Sequence, residues 1–269
     1  MARKTTTRNA VAKVATGATS LVPIRQAGGS IAKLPGVDPA RVTREDKAVL
    51  VVDTPYVAGD VIVPASEVYF TRLLDDAPDG PWLGEADKVA WRDSATGYEC
   101  IMLRQTRGGF LSGYVGVPAS HPLHGFERAA VPPEVVDVHG GLAYSRACDA
   151  GPAPERRSIL REARRICDTD RVVDWRPTSH ATDYRVADRH AWWFGFDCDR
   201  LYDVIPDDKR ADRRHLGAET GAVYRDDAYV VREILHLAAQ LKAVADGVDP
   251  PTRIGPTPPP MGLDPRSGA

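Results

Sequence analysis

Recognisable signatures are what this chain has least of. It contains no G-x-x-x-x-G-K-[ST], no G-x-G-x-x-G, no H-E-x-x-H and no G-x-S-x-G, so several large enzyme classes lack their usual phosphate loop, zinc helix or nucleophile turn. Its four cysteines, Cys100, Cys148, Cys167 and Cys198, form no C-x-x-C pair. That spacing suggests neither a zinc knuckle nor a disulfide framework, and a reduced cytoplasmic setting fits it best. No window reaches the roughly 18 uninterrupted apolar residues that cross a bilayer. Lys13 breaks the one Ala/Val-rich run near the N-terminus, which makes a poor signal peptide. A formal net charge of -2 gives no global attraction to nucleic acid or to acidic membranes.

What is present is enough apolar material for a sizeable core, 43% of 269 residues, with an ordinary 27% of charged residues for a soluble protein. The ends differ from the middle. Residues 1–45 begin with Arg3, Lys4, Arg8, Lys13, Arg25 and Lys33 before any acid, and read as a flexible basic arm that offers at most a weak contact with nucleic acid. Residues 248–269 carry too many prolines to continue a helix or join a sheet.

Residues 46–80 read as a short β-rich leader: two β-branched runs, Val49 to Asp53 and Asp60 to Val63, separated by a turn-like "TPYVAG". Residues 81–247 carry the main α+β domain. Strands are expected at Lys88 to Trp91, Tyr98 to Arg104 and Phe110 to Val117, joined by tight connections that favour antiparallel neighbours. A fourth is expected in "EVVDVHGGLAY" and a fifth at Ala191 to Cys198, which completes a meander of about five strands. Two or more helices cover it. One is expected in "PERRSILREARRIC", and a stronger one in "DDAYVVREILHLAAQLKAVADG", where Val230, Ile234, Leu237, Leu241 and Val244 form a stripe between a capping Asp226 or Asp227 and Gly247.

Strand alternation sorts the chemistry. Asp137 and His139 share a face of the fourth strand. In the fifth, Trp192, Phe194, Phe196 and Cys198 share one face and read as core, while Trp193, Gly195 and Asp197 share the other. Were the two strands neighbours, Asp137, His139 and Asp197 would meet beside Trp193, with Gly195 leaving room for a ligand. An imidazole between carboxylates suits proton transfer near neutral pH, or a divalent metal held by one nitrogen and two oxygens; a strand-end Asp or His also commonly bonds to backbone. Cys198, beside an aromatic stripe, reads as a small buried hydrophobe rather than a nucleophile. "SGYVGVPASHPLHG" looks like a shaped loop, with Tyr114 and His121 as ligand-facing side chains and His121 and His124 spaced to share a metal. Arg156, Arg157, Arg161, Arg164 and Arg165 form a basic cluster that reads first as a solvated helix face.

The succession "GYVGVP" (113–118), "HP" (121–122), "VHGGLAY" (138–144), "WWFGFDC" (192–198) and "YRDDAYVVREI" (224–234) resembles a family of uncharacterised proteins encoded by phages, prophages and their hosts, over about residues 82–245. The resemblance implies a phage-associated cytoplasmic accessory protein and no particular substrate or cofactor. In that family the Asp-Cys pair is followed by Ala-His and then Gly-Asp. Here Asp199, Arg200, Leu201, Tyr202 and Asp203 follow, so the His is missing and Asp199 or Asp203 stands in its neighbourhood. Two functions are consistent with these residues: binding or hydrolysis of a small molecule or nucleotide at Asp137, His139 and Asp197, or a non-enzymatic module presenting "GYVGVPASHP" and the aromatics to a protein partner.

Overall fold

β-Branched and aromatic residues, which fit a pleated and half-buried surface, supply the strands. The computed structural model describes residues 33–148, 158–167, 191–207 and 222–253. Within them lie β1 (Val42–Glu45), β2 (Ala48–Ala58), β3 (Val61–Phe70), β4 (Lys88–Arg92), β5 (Glu99–Arg104), β6 (Leu111–Val117), β7 (Tyr144–Ala147) and β8 (Trp192–Asp197), with two helices, α1 (Ile159–Glu162) and α2 (Asp227–Asp246). All eight strands form one antiparallel sheet in the order β1-β2-β3-β4-β5-β6-β8-β7. The architecture is α+β as expected, but with eight strands rather than about five. None of the described helices is long and apolar enough to cross a membrane.

The extra strands come largely from the expected leader. Its "TPYVAG" is not a turn: β2 runs through it, and the reversal comes at Gly59, where φ is +60°. Thr54, Tyr56 and Ala58 are buried along that stretch, so packing holds it extended despite its proline. Pro55 sits directly opposite Pro64 of β3, which places both missing N–H donors at one rung of the ladder. Because β3 pairs with β4, residues 46–80 belong to the same sheet and core as the rest. "PERRSILREARRIC" yields only the single turn α1, capped by the Ser158 side chain, and its first residues lie outside the described ones.

α2 has the expected limits. Asp226 accepts a hydrogen bond from the Tyr229 amide at 2.8 Å, and Gly247 closes the helix in the left-handed conformation at φ +66°. Its stripe of Val230, Val231, Ile234, Leu237, Ala238 and Leu241 packs on Met102, Leu111, Val115, Phe194 and Phe196. Each of these side chains other than Ala238 contributes about 1.5–3 kcal/mol when fully buried. The opposite sheet face carries a smaller cluster of Ala90, Ile101, Leu103, Tyr114 and Trp193.

The N-terminus of α2 is fixed by ions as well as by apolar contact. Arg104 of β5 donates from Nε to Asp87 at 3.0 Å, from Nη2 to Glu85 at 2.7 Å, and from Nη1 to the Gly109 carbonyl at 2.8 Å and the Tyr224 hydroxyl at 3.1 Å. Glu85 also accepts the Asp227 amide at 3.0 Å, while the Asp227 carboxylate takes the Tyr56 hydroxyl at 2.6 Å and pairs with Lys33. Asp227, a possible cap from sequence, is thus a buried anchor.

Candidate functional site

The segment carrying Asp137 and His139 is not a strand, because helix side chains satisfy its backbone instead of a neighbouring strand. Glu233 and Gln240 fall seven residues apart on one face of α2. Gln240 accepts the Asp137 amide at 2.7 Å and donates to the Asp137 carbonyl at 3.0 Å, and Glu233 accepts the His139 amide at 2.7 Å. Arg253 closes this arrangement, donating to both Glu233 oxygens at 2.6 and 3.0 Å and to the Asp137 carbonyl at 2.7 Å. Gly140 and Gly141 follow at φ +62° and +77°, and a Cβ on Gly140 would lie 2.1 Å from Nε of Arg200, so the bend brings backbone against that arginine.

His139 is wholly buried, and both ring nitrogens are engaged. Nε2 lies 2.7 Å from Asp203 Oδ2 and Nδ1 lies 2.9 Å from the Tyr229 hydroxyl. A carboxylate only accepts, so Nε2 donates to it and Nδ1 faces the phenol. Asp203 also accepts the Arg200 amide at 2.8 Å and Nε of Arg225 at 2.9 Å. Burial pushes the Asp203 carboxyl upward, but the hydrogen bonds and charge supplied by His139, Arg225 and the Arg200 amide outweigh it and hold the group below the usual range. Arg225 stacks on Tyr229, its guanidinium carbon 4.8 Å from the ring centre. Beyond Nε, its guanidinium has no acceptor among the described residues; Nε of Arg200 is likewise buried without one. The pair Asp203–His139 therefore orients the Arg225 guanidinium and pins the Arg200 backbone just beyond β8.

Asp197 is elsewhere. The expected neighbours do pair, Tyr144 opposite Gly195, but β7 begins only after His139, and the His139 ring lies on the α2 side, 6.4 Å from that of Phe196. Asp197 faces the other side and accepts the Ser112 hydroxyl at 2.6 Å; burial raises its carboxyl. The space at Gly195 is filled by protein, since a Cβ there would meet the Tyr114 ring at 2.3 Å. Tyr114 takes a hydrogen bond from Gln105 at 2.8 Å and stacks edge-on with Tyr144 at 5.2 Å, while Trp193 is fully buried over Gly116. His121 uses Nε2 on the Leu241 carbonyl at 2.8 Å and Nδ1 on the Leu123 amide at 3.0 Å, pinning its loop to the end of α2 with no nitrogen left for a metal shared with His124. Among the described residues no group of three or more His, Cys, Asp or Glu is arranged to hold a metal. Cys198 lies in the main core beside Phe196, where burial raises its thiol well above the ordinary value.

No family model, curated protein or solved structure matches this chain. Its chemistry is therefore read from its own geometry. A shallow cleft of about 400 Å³ near Asp53, Ser66, Arg92 and Glu99 lies on the face away from α2 and contains none of the expected site residues. The convergence of polar groups lies instead around Asp203. Sequence analysis named His139 but missed Arg225, Tyr229, Glu233 and Gln240, and touched Asp203 only as a neighbour of an absent histidine. Their signal was available: polar residues interrupting the buried face of an otherwise apolar helix.

One expectation about the cysteines is overturned. Cys148 and Cys167 are joined as a disulfide with Cα atoms 4.9 Å apart, because α1 brings Cys167 back to the end of β7; Cys100 and Cys198 are free and buried.

Proposed function

We propose that this chain binds a small anionic molecule of the nucleotide or phosphorylated-metabolite class at the end of β8, where Arg200 and Arg225 stand over the buried His139–Asp203 pair. The observation that carries this reading is the incomplete hydrogen bonding, among the described residues, of two guanidinium groups beside one carboxylate that holds the Arg225 side chain and the Arg200 backbone amide. A planar guanidinium fork suits phosphate or carboxylate oxygens. His139 and Tyr229 act here as positioning residues: the imidazole is sealed from solvent and orients Asp203, which in turn aims Arg225. The reading is of binding rather than hydrolysis, and Asp137 supports the site through its backbone. The alternative, a protein-interaction module built on "GYVGVPASHP", is less well supported, because Tyr114, Val115, Val117 and His121 are buried in and under the centre of the sheet.

The motif resemblance supports a phage-associated accessory role, and we keep the cytoplasm as the proposed compartment. A disulfide there is typically transient and redox-sensing rather than a permanent staple.

Thermal-shift titration with inorganic phosphate, pyrophosphate and nucleotides tests the binding site. A ligand at about 100 times its Kd stabilises the fold by about 2.7 kcal/mol. Arg200→Gln/Arg225→Gln should abolish the response, and His139→Ala should weaken it. If none of these anions moves the midpoint, or if the response survives in the double arginine variant, the proposal is wrong.

A further inference from the structure

The chain that leaves α2 sends one residue back into the support of the proposed anion site. Gly247 turns the backbone out of the helix, and residues 248–252 beyond it are exposed. Arg253 turns inward, its side chain only 15% exposed. Its partner Glu233 lies up the helix from Asp246 by about 20 Å, at the rise of an α-helix. The segment 248–253 covers about 20 Å when fully extended, so it doubles back along α2 to deliver the guanidinium. Pro250 and Pro251 stiffen that path, since each ring fixes φ.

What Arg253 grips is the carboxylate that grips His139. Glu233 is buried, its oxygens accept from the arginine fork at 2.6 and 3.0 Å, and Oε1 also accepts the His139 amide at 2.7 Å. The same fork donates to the Asp137 carbonyl at 2.7 Å, and Nε lies 3.4 Å from the Asp137 carboxylate. Hydrogen bonds between charged groups are about twice as strong as neutral ones. The ring of that same His139 lies 2.7 Å from Asp203, which accepts from Arg225 at 2.9 Å. The His139 backbone therefore answers to Arg253 while its ring answers to the anion site.

We propose that Arg253 is a latch on the anion site: with its fork on Glu233, residues 137–139 are held where His139 and Asp203 aim Arg225, and with the fork released the site loses affinity. The latch presupposes the anion site proposed at Arg200 and Arg225 and regulates that same site. Without the arginine, Glu233 is a buried carboxylate lacking its counter-charge and turns toward water, and the His139 amide loses its acceptor. Arg253 acts through Glu233 and His139, so it is a positioning residue. Coupling of this kind is reciprocal: a bound anion in turn holds the latch shut.

The test is calorimetric titration of the full chain with inorganic phosphate, pyrophosphate and ATP, paired with hydrogen exchange at the His139 amide followed by NMR. Arg253→Gln should speed that exchange and weaken anion binding by about tenfold, a usual size for coupling between two sites. Arg253→Lys, which keeps a charge opposite Glu233 but not the fork, should fall between wild type and the Gln variant in both measurements, and it carries the test if Arg253→Gln fails to fold. Arg232→Gln removes an exposed cation from the same helix, where it pairs with Asp60 at 2.6 Å, and should change neither. Unchanged affinity in the Arg253 variants, or an equal loss in Arg232→Gln, overturns the latch and leaves the anion site standing. Weaker binding without faster His139 exchange also overturns it, because the arginine would then act on the anion through its own charge. A wild type that binds none of the three anions overturns the anion site and the latch together.

Discussion

Two buried ionic networks flank α2, and they are finished differently. Around Arg104, Nε, Nη1 and Nη2 all meet protein acceptors: Asp87, Glu85, the Gly109 carbonyl and Tyr224. Around Asp203 the carboxylate is saturated, by His139, Arg225 and the Arg200 amide, but the Arg225 and Arg200 guanidinium groups beside it are not, among the described residues. The first network is closed and its role is to hold the helix start against β5. In the second, the Arg225 guanidinium beyond Nε and the buried Nε of Arg200 meet no acceptor among the described residues, which is the feature the proposed anion site rests on. Buried charge alone does not distinguish the two networks; the completeness of their hydrogen bonding does.

Arg104→Met separates the two networks most directly. It leaves Glu85 and Asp87 buried without their cation and should cost about 3–5 kcal/mol in urea unfolding, with no specific effect on anion binding. A loss under 1 kcal/mol would mean that the closed network is dispensable. Next in size is Asp203→Ala, which strips His139 and Arg225 of their acceptor while the Arg225 side chain keeps some contact with water, at 17% exposure. A cost of about 1–3 kcal/mol is expected, smaller than at Arg104, together with loss of the phosphate response. The smallest change in stability belongs to Arg200→Gln/Arg225→Gln, about 1 kcal/mol, because His139 and the Arg200 amide still hold the buried Asp203 carboxylate, yet this variant should lose binding completely. A large destabilisation here would place these arginines with the closed network.

Acid titration separates the two carboxylates at and beyond the C-terminal end of β8. Asp203 has a folded value below its unfolded one, so its contribution is present above the ordinary carboxylate range and is lost as pH falls through the folded value. Asp197 is raised, so its contribution is present below that range and is lost as pH rises through the folded value. The stability difference between wild type and Asp203→Asn should shrink on acidification, and that between wild type and Asp197→Asn should shrink on moving from acid toward neutral pH. Parallel slopes would show that the two sites are not electrostatically distinct.

Local pattern made α2, its caps and the β4–β6 meander legible, because each depends on spacing within a short window. The Asp226 cap and Gly247 terminus follow from side-chain chemistry alone. What did not follow was anything decided by distant partners. "VVDVH" alternates like a strand, but Gln240 and Glu233 take its amides from about a hundred residues away. Asp197 and His139 each had the right residue type for a site, and strand parity correctly separated Trp193 and Asp197 from Phe194, Phe196 and Cys198. Parity within one strand says nothing of which sheet face another segment crosses, and that crossing put His139 with α2. The disulfide was hidden for the same reason, since 19 residues of separation carry no register.

The insertion of β8 between β6 and β7 has a consequence for synthesis. β7 leaves the ribosome well before β8, yet its ladder partner is β8 and not β6. Strands β1 to β6 can zip in order as they emerge, whereas β7 must wait with its edge unpaired until residue 197 is available, and the free edge of β6 must wait with it. Such non-local pairing is slow and exposes strand edges meanwhile. Translation speed through residues 148–197 is therefore a control point for yield: slowing it lengthens the interval in which β6 can be captured by another nascent chain.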